Sequence, residues 1–591
     1  MRNFPQKWRC RKVTDIDFEV CSRFNFSPAL ITLFANRGIK TEEQILSFLK
    51  PSFRDLHDPG LLPGIKEGIS RVKRAIYTKE RILVFGDYDT DGIISCVIMY
   101  NFLKRLDVDV DIYVPDRFTE GYDISINFVK RILNENLYKL IICVDCGTNS
   151  SEVQEYVCKN NIDIDIIACD HHEPHSTPFP EGIHDKGKYI IINPKLEYST
   201  YPFKDLSGAG VTFKFITAVL RELEEEFKKR FEKSYLTSLL DMVAISTIAD
   251  VMPLVGENRV IVKKGLEILK NSSNRGLKRM LDRILNGVEE ITPDHVGFVI
   301  APRLNAEGRV KNAENSIKLL KEDEKEDEVS LGKIVDELNL SNEKRKSIQE
   351  SVLNEIIANN DFSWIIENQK IFIDKSERWS EGVLGIVASD LVKRFNIPVI
   401  LFREKGEKLK GSGRSIEKFN LYENLFSLRD LFEKFGGHEL ACGITMPKSN
   451  FEYFKDEMIR IASSKLSSKD VEKSFSYDLE MSFKDINGNF IRELQLLKPF
   501  GVGNPRPVFV TRNCEILSKT YSQDEKVLKI RLKNSNVVFS GIMFGVENDL
   551  ASKVLSSGKV NVLYTIDETC YKLDNKITMT QLVILDLELC L

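Results

Sequence analysis

Between Arg81 and Pro194, five short apolar runs (RILVFGD, VDIYVPD, KLIICVDCG, DIIACDHH and KYIIINP) each end in acidic, polar or glycine residues, with amphipathic stretches between them. Runs this short and this uniformly apolar suit strands buried on both faces, and the intervening stretches suit crossover helices. The chain is therefore expected to build a parallel α/β sheet. In open sheets of this kind ligands bind beyond the carboxyl ends of the strands, and this chain keeps its acids there.

At 591 residues the chain is too long for one ordinary domain. Residues 1–75 carry helical apolar spacing in SPALITLFANRGI and TEEQILSFL and read as an N-terminal helical cap, followed by the α/β lobe over 76–325. KEDEKEDE at 321–328 reads as a solvated face. Few breakers and the spacing of Ile334, Leu338, Ile348 and Val352 predict a long helix over 326–360 that joins two lobes. A second α/β lobe follows over 361–470, with KIFIDKS, GVLGIVASDLVKRF and PVILFRE. From 471 to 591 the strand-like runs VFVTRNCEIL, KVLKIRLKN, VVFSGIMFG, KVNVLYTID and QLVILDLEL point to a small β-barrel.

Hydrophobic residues at 42% and charged residues at 29% exclude a disordered, collagen-like or membrane-embedded chain. A formal charge of -4 gives no global basic field, so any nucleic-acid site is a local one. Eleven scattered cysteines, with no apolar leader segment and no membrane span, predict a soluble cytoplasmic protein with no membrane partner.

GDYDTDG is the sharpest chemical signal, because Asp87, Asp89 and Asp91 follow an apolar strand and precede a helix expected from about Gly92. Carboxylates this close repel one another, and a divalent cation relieves the repulsion. An EF-hand loop fits the first six positions but needs glutamate where Ile98 stands. An aspartyl phosphatase pattern needs threonine where Ile93 stands. Helix capping accounts for one aspartate at most. Asp145, together with Asp170, His171 and His172, lies at further strand ends, and Asp250 sits in an apolar helical run where an acid needs a partner. Asp241 reads as a supporting or structural acid. Aspartate mixed with histidine favours Mn²⁺ or Mg²⁺, with Zn²⁺ as competitor, over a thiolate site. Cys143 and Cys146 form a lone C-x-x-C and read as core residues. His57, His175, His184 and His295 read as ordinary surface or core histidines.

With GDYDTDG upstream, VDCG between and an aspartate helix downstream, Asp170-His171-His172 resembles the DHH phosphoesterase superfamily. Within it the chain is similar to the RecJ family of single-strand-specific exonucleases. The similarity runs through RFTEGYDIS, YPFKDLSGAGVTFKF, IADVMPL, PRLNAEGR, EGVLGIVAS, GSGRS, GGHELACG and LKPFGVGNPRPVF, over nearly the whole chain. The resemblance implies a DHH lobe, a long helix, a DHHA1 lobe and a C-terminal oligonucleotide-binding (OB) barrel. It implies degradation of single-stranded DNA from the 5′ end to mononucleotides with two Mn²⁺ or Mg²⁺ ions, in repair and recombination, with a helicase and a single-strand-binding protein as partners. It assigns Asp87, Asp89, Asp91, Asp145, His171 and Asp250 to the metals, and it places Arg303, Arg309 and Arg414 at positions that face the DNA. His172, next to His171, and Asp170 are the candidates for catalysis, with support of the neighbouring ligand as the other reading of His172. Arg117, Asn305, Ser412 and His438 are further candidates for substrate.

Two positions depart from the family pattern. Ser380 stands where histidine is common, and the usual tryptophan near Leu573 is missing, which leaves Phe509, Phe539 and Phe544 as stacking platforms or barrel core. Two other readings stay open at this stage: a phosphodiesterase acting on short RNA or cyclic dinucleotides, and a non-catalytic single-strand-binding relative. The strands after residue 472 count against the first, and the complete acid and histidine set counts against the second.

Overall fold

In the computed structural model the five apolar runs form β1 (Ile82–Gly86), β2 (Val110–Tyr113), β3 (Leu140–Val144), β4 (Asp165–Cys169) and β5 (Tyr189–Ile192). They make one parallel sheet in the order β2-β1-β3-β4-β5. The structure describes residues 7–11, 23–117, 120–121, 123–160, 162–174, 187–310, 313–322, 327–523, 526–546, 548–567 and 580–590. His175, His184 and the position near Leu573 lie outside the described residues.

Continuous apolarity in these strands conceals an alternation. Ile82, Val84, Leu140, Ile142 and Val144 enter one core with the helices of one face, while Leu83, Phe85, Ile141 and Cys143 enter a second core with Phe128, Val129, Val153 and Val157. Both faces are covered, so every strand position must be apolar. Because β2 and β3 lie on opposite sides of β1, the strand order reverses there and opens a crevice at the carboxyl ends of β1 and β3.

The helix after β1, α1 (Thr90–Arg105), is buried almost all round, and it starts two residues before the expected Gly92 because Asp89 caps it. Further on, α2 (Gly208–Glu222) packs on α1, and α3 (Leu240–Ala249) packs on both. Asp241 is buried in α3, where its carboxylate accepts hydrogen bonds from Met242 N and Ser272 Oγ. Burial pushes its carboxyl up to about 6. A folded-state pKa above the unfolded value costs stability once pH rises past it, and costs nothing below the unfolded pKa. Asp241→Asn is therefore expected to stabilise the protein by up to about 3 kcal/mol near pH 8 and to leave stability unchanged near pH 4, read from denaturant midpoints. Equal effects at the two pH values would remove the electrostatic explanation.

After α4 (Arg275–Ile284) comes α5 (Glu328–Asn359), 32 residues and about 48 Å long. Leu331, Val335 and Leu338 of its first half join the core of the first lobe, and Val352 and Ile356 of its second half join the core of the next. The second lobe holds β6 (Phe372–Ser376), α6 (Glu381–Phe395), β7 (Val399–Lys405), β8 (Lys408–Arg414), β9 (Lys434–His438) and β10 (Ala441–Pro447). Its sheet runs β9-β10-β8-β7-β6, parallel only between β6 and β7. At the joint between the lobes, the short helix Ala306–Val310, α5 and α6 pack on one another. A Cβ on Gly382 would fall 2.0 Å from Arg309 O, so backbone meets backbone there, and only glycine permits it.

By contacts the chain divides into two compact units, one of residues 56–252 and 260–473 with both lobes, the other of 6–55, 253–259 and 474–591. In the second unit β11 (Phe509–Ser522), β12 (Val527–Asn534), β13 (Val537–Met543), β14 (Lys559–Asp567) and β15 (Gln581–Leu589) close into a barrel in the order β11-β12-β13-β15-β14, with β14 pairing back to β11. The segment read as an N-terminal cap divides at Asp55. Its helices Pro28–Ala35 and Glu42–Leu49 are too short to make a core alone, and Leu30, Phe34 and Ile45 join the barrel core with Phe483 and Phe490. Among the described residues no helix is long and apolar enough to cross a membrane.

Candidate metal centre

The site forms where β1, β3 and β4 run out. Asp87 follows β1, Asp145 follows β3, and Asp170, His171 and His172 follow β4, while Asp250 ends α3. His171 Nε2 lies 3.2 Å from Asp145 Oδ1, 3.5 Å from Asp250 Oδ2 and 3.7 Å from Asp91 Oδ2. Asp87, Asp89 and Asp145 make a second group, and ligand atoms within each group lie within 4.8 Å of one another. Asp145 and Val251 hold backbone angles of φ 60 and φ 60; aspartate adopts this region readily, whereas a β-branched valine there is strained. Such strain directly after Asp250 is what a functional constraint leaves behind.

Asp91 and Asp89 play different parts. Asp91 is 2% exposed, and its two oxygens accept hydrogen bonds from Gly208 N (2.7 Å), Ala209 N (2.8 Å) and Ser246 Oγ (2.6 Å). The amino end of α2 is thus aimed at a carboxylate, as helix starts commonly are at anions. Asp89 accepts from Asp91 N and Gly92 N as the cap of α1. A side chain at Gly208 would collide with Asp145, its Cβ 2.5 Å from Oδ1.

The rest of the cluster is under electrostatic tension. Burial, then repulsion from the neighbouring acids, pushes Asp87, Asp145 and Asp250 well above the ordinary carboxylate range. Burial drops His171 to about 4, against the attraction of Asp91. Asp145 Oδ1, Asp250 Oδ2 and His171 Nδ1 are buried without a hydrogen-bond partner. Two orphaned carboxylate oxygens close to one imidazole nitrogen are costly as they stand and are satisfied by a divalent cation, so the residues present fit a metal.

His172 is built differently from His171. Its Nδ1 lies 2.8 Å from Asp170 Oδ1, and Asp170, 1% exposed, also accepts from Thr148 N, His171 N and His172 N. Burial alone would raise Asp170, but the charge and hydrogen bond of His172 hold it far below the carboxylate range. Burial opposes the charged imidazole in turn, and Asp170 outweighs it, lifting His172 to about 10. Asp170 therefore orients His172 and carries no orphaned oxygen of its own.

A group of cations stands beside the acids. Arg117 lies over the Tyr88 ring at 5.0 Å, and Arg414 Nη1 donates to Ser412 Oγ at 3.0 Å. Burial and the charge of Arg117 lower both Arg309, to about 10, and Arg414. Partial burial, with the charges of Arg414 and His172, lowers His438, so the second lobe's histidine senses the first lobe's site. Arg303 donates to Asn339 Oδ1 and Val299 O through Nε and Nη1, and Asn305 Oδ1 accepts from Thr90 N, holding the GDYDTDG turn. Three residues escaped the sequence reading. Arg345 is a buried cation of α5 near Arg309, detectable as a charge on that helix's apolar stripe; its Nε has no partner. Asp123 of RFTEGYDIS lies near Asp170 and His172. Lys195 lies 3.1 Å from Glu173 and near His171 and Asp250.

Cys143 and Cys146 are buried core thiols, Asp241 is a structural acid, and His295 caps its own helix through Thr292. His57 packs edge-on against Tyr201. Ser380 precedes α6 and its side chain makes no cap. Phe509 and the partly buried Phe539 belong to the barrel core, whereas Phe544 is exposed.

Comparison with known proteins bears on this site. The DHH family, N-terminal domain, matches residues 81–247, the DHHA1 domain 368–464 and the RecJ OB domain 477–584. The single-stranded-DNA-specific exonuclease RecJ of Bacillus subtilis is 33% identical over 92% of this chain and 66% of its own length. That of Thermus thermophilus is 31% identical over 83% of this chain and 67% of its own. This chain belongs to the RecJ family. It spans about two thirds of the length of those two RecJ proteins. The crystal structure of Thermus thermophilus RecJ with Mn²⁺ covers 98% of this chain and 79% of that one, with a TM-score of 0.80 at 26% identity. The same RecJ was solved with Mg²⁺, at a TM-score of 0.75 and 24% identity. The parallel-sheet lobe, the second α/β lobe on the long helix and the closed barrel are thus the RecJ architecture, and the ions in those two RecJ structures are Mn²⁺ and Mg²⁺.

Proposed function

We propose that this chain is a single-stranded-DNA-specific exonuclease that removes mononucleotides from the 5′ end by metal-dependent phosphodiester hydrolysis. The observation that carries this reading is the convergence of orphaned acid oxygens on His171 beside the half-buried cations Arg117, Arg309 and Arg414. Acids gathered for cations and arginines gathered for anions, side by side, suit a phosphate chain. Asp87, Asp89, Asp91, Asp145, His171 and Asp250 would hold two ions. Such ions supply charge for the phosphoryl oxygens and lower the pKa of the attacking water.

The chain's own groups do the rest. Asp91 is fixed by α2 and Ser246, so the acid turn needs no rearrangement to work. His172, held charged by Asp170, is the proton donor for the departing 3′ oxygen. Arg414, with Ser412, and Arg309 receive the terminal 5′-phosphate. Each cut leaves a new 5′-phosphate on the shortened strand, which regenerates the anchor for the next one. The domain roles follow the residue divisions 76–325, 326–360, 361–470 and 471–591, with residues 28–49 of the 1–75 segment serving the barrel unit. A cytoplasmic site of action, with a helicase and a single-strand-binding protein supplying substrate, completes the reading.

A Mn²⁺-dependent time course on single strands labelled at either end tests the direction, and loss of label first from the 3′ end would overturn it. Arg414→Ala is expected to raise KM for 5′-phosphorylated strands by roughly 10-fold or more and to change KM for 5′-hydroxyl strands little. Equal changes for both would place Arg414 elsewhere on the strand.

A further inference from the structure

A cavity of about 510 Å³ lies away from the metal centre, between the carboxyl-terminal end of α1, the first turn of α4 and residues 321–322. Its charged lining is Lys104, Arg105, Arg275, Lys321 and Glu322, four cations against one acid, with Asn101, Ser273 and Asn274 beside them. We propose that this cavity binds a phosphate-bearing small molecule of nucleotide size.

Unmet hydrogen bonding sets the chemistry of the occupant. Asn101 is 2% exposed, and its Oδ1 accepts from Glu322 N at 3.1 Å, which fixes the amide. Its Nδ2 is buried with no hydrogen-bond partner, and so is Arg105 Nε. Both unmet groups are donors, and among the described lining residues no buried acceptor is left unmet. A ligand rich in acceptor oxygens answers that deficit, and the net positive lining makes it an anion. The first turn of α4, a 10-residue helix, adds its positive end to the same cavity. A volume of this size falls within the range of small-molecule sites, and Leu319 and Leu331 give it an apolar floor.

The cations are held in readiness by weak partners. Arg105 pairs with Glu322 at 2.8 Å and Arg275 with Glu328 at 3.2 Å, both solvent-exposed pairs. Lys321 lies over the Tyr100 ring at 4.4 Å. Surface pairs of this kind are readily exchanged for a phosphate. The ends of KEDEKEDE thereby act as an internal competitor for the same cations.

The test is calorimetric titration of the full chain in EDTA with pyrophosphate and, separately, with dAMP. Working without divalent cations keeps the result independent of whether the chain is a nuclease. Wild type is expected to bind one equivalent, and Arg275→Glu and Lys321→Glu to weaken binding roughly tenfold or more with thermal midpoints unchanged. Glu322→Gln is expected to tighten it, and Arg414→Ala, which removes the phosphate contact proposed beside the metal centre, to leave this cavity's share of the binding in place. Tighter binding of dAMP than of pyrophosphate supports a nucleotide as occupant, and the reverse order supports a phosphate chain alone. No binding of either probe at millimolar concentration, or binding lost only in Arg414→Ala, overturns the proposal.

Discussion

Asp145→Asn is expected to abolish nuclease activity while making the metal-free protein more stable. Asp145 Oδ1 is buried without a hydrogen-bond partner, its carboxyl is pushed up by burial and by Asp91, Asp89, Asp250 and Asp87, and its backbone sits at φ 60. Asparagine tolerates that backbone, keeps the side-chain shape and removes one of the repelling charges. The gain without metal is about 1–3 kcal/mol, the scale on which uncompensated buried charge is relieved. With Mn²⁺ the order reverses. Wild type gains stability by linkage to the bound ion, and the variant gains little. Thermal denaturation of both proteins with and without Mn²⁺ reads this crossover. A variant less stable than wild type in EDTA would show that the cluster is not under the tension inferred for it.

His172→Ala is expected to slow cleavage by about 10²–10⁴-fold, the usual worth of a positioned proton donor, while bound Mn²⁺ stays at the wild-type level. His172 Nδ1 is committed to Asp170, but the ring also lies in a group with Asp145 and His171 that could hold an ion. Equilibrium dialysis of Mn²⁺ beside single-turnover cleavage separates the two roles. Metal lost in proportion to rate would make His172 a ligand. Asp170→Asn should reproduce the rate defect in part, since it removes the charge that keeps His172 protonated near neutral pH.

Much of this was legible in the sequence because the sheet writes it plainly. A strand buried on both faces must be apolar throughout, so each place where β1, β3 and β4 stop is marked by the first acid that follows. The 32-residue α5 was visible for a similar reason, as a periodicity without breakers. What residue types alone could not supply was which acid faces what. Asp89 and Asp91 look alike in GDYDTDG, yet one caps α1 and the other is clasped by the amino end of α2, more than a hundred residues later. Arg303 and Arg309 share PRLNAEGR, but a turn of helix sends one to Asn339 and Val299 and the other into the cation group. Arg345 was hidden by its surroundings, since a charge on a long helix ordinarily faces water. The division at Asp55 reflects which core had room for two short helices, and apolar spacing does not record that.

The joint at Gly382 and Arg309 gives the two lobes a fixed gauge. Backbone is seated on backbone, with Arg309 Nη1 donating to Gly382 O at 3.3 Å, and the same arginine belongs to the group proposed to hold the strand's end. At the joint itself the spacing of the lobes is set by main chain, and the proposed anchor extends from it on arginine side chains. On the proposed reading, a joint of fixed spacing keeps the anchor at one distance from the acids, so the position of the cut from the strand's end follows from that spacing. Bulk introduced at residue 382 would change the length of the fragment released as well as the rate of its release.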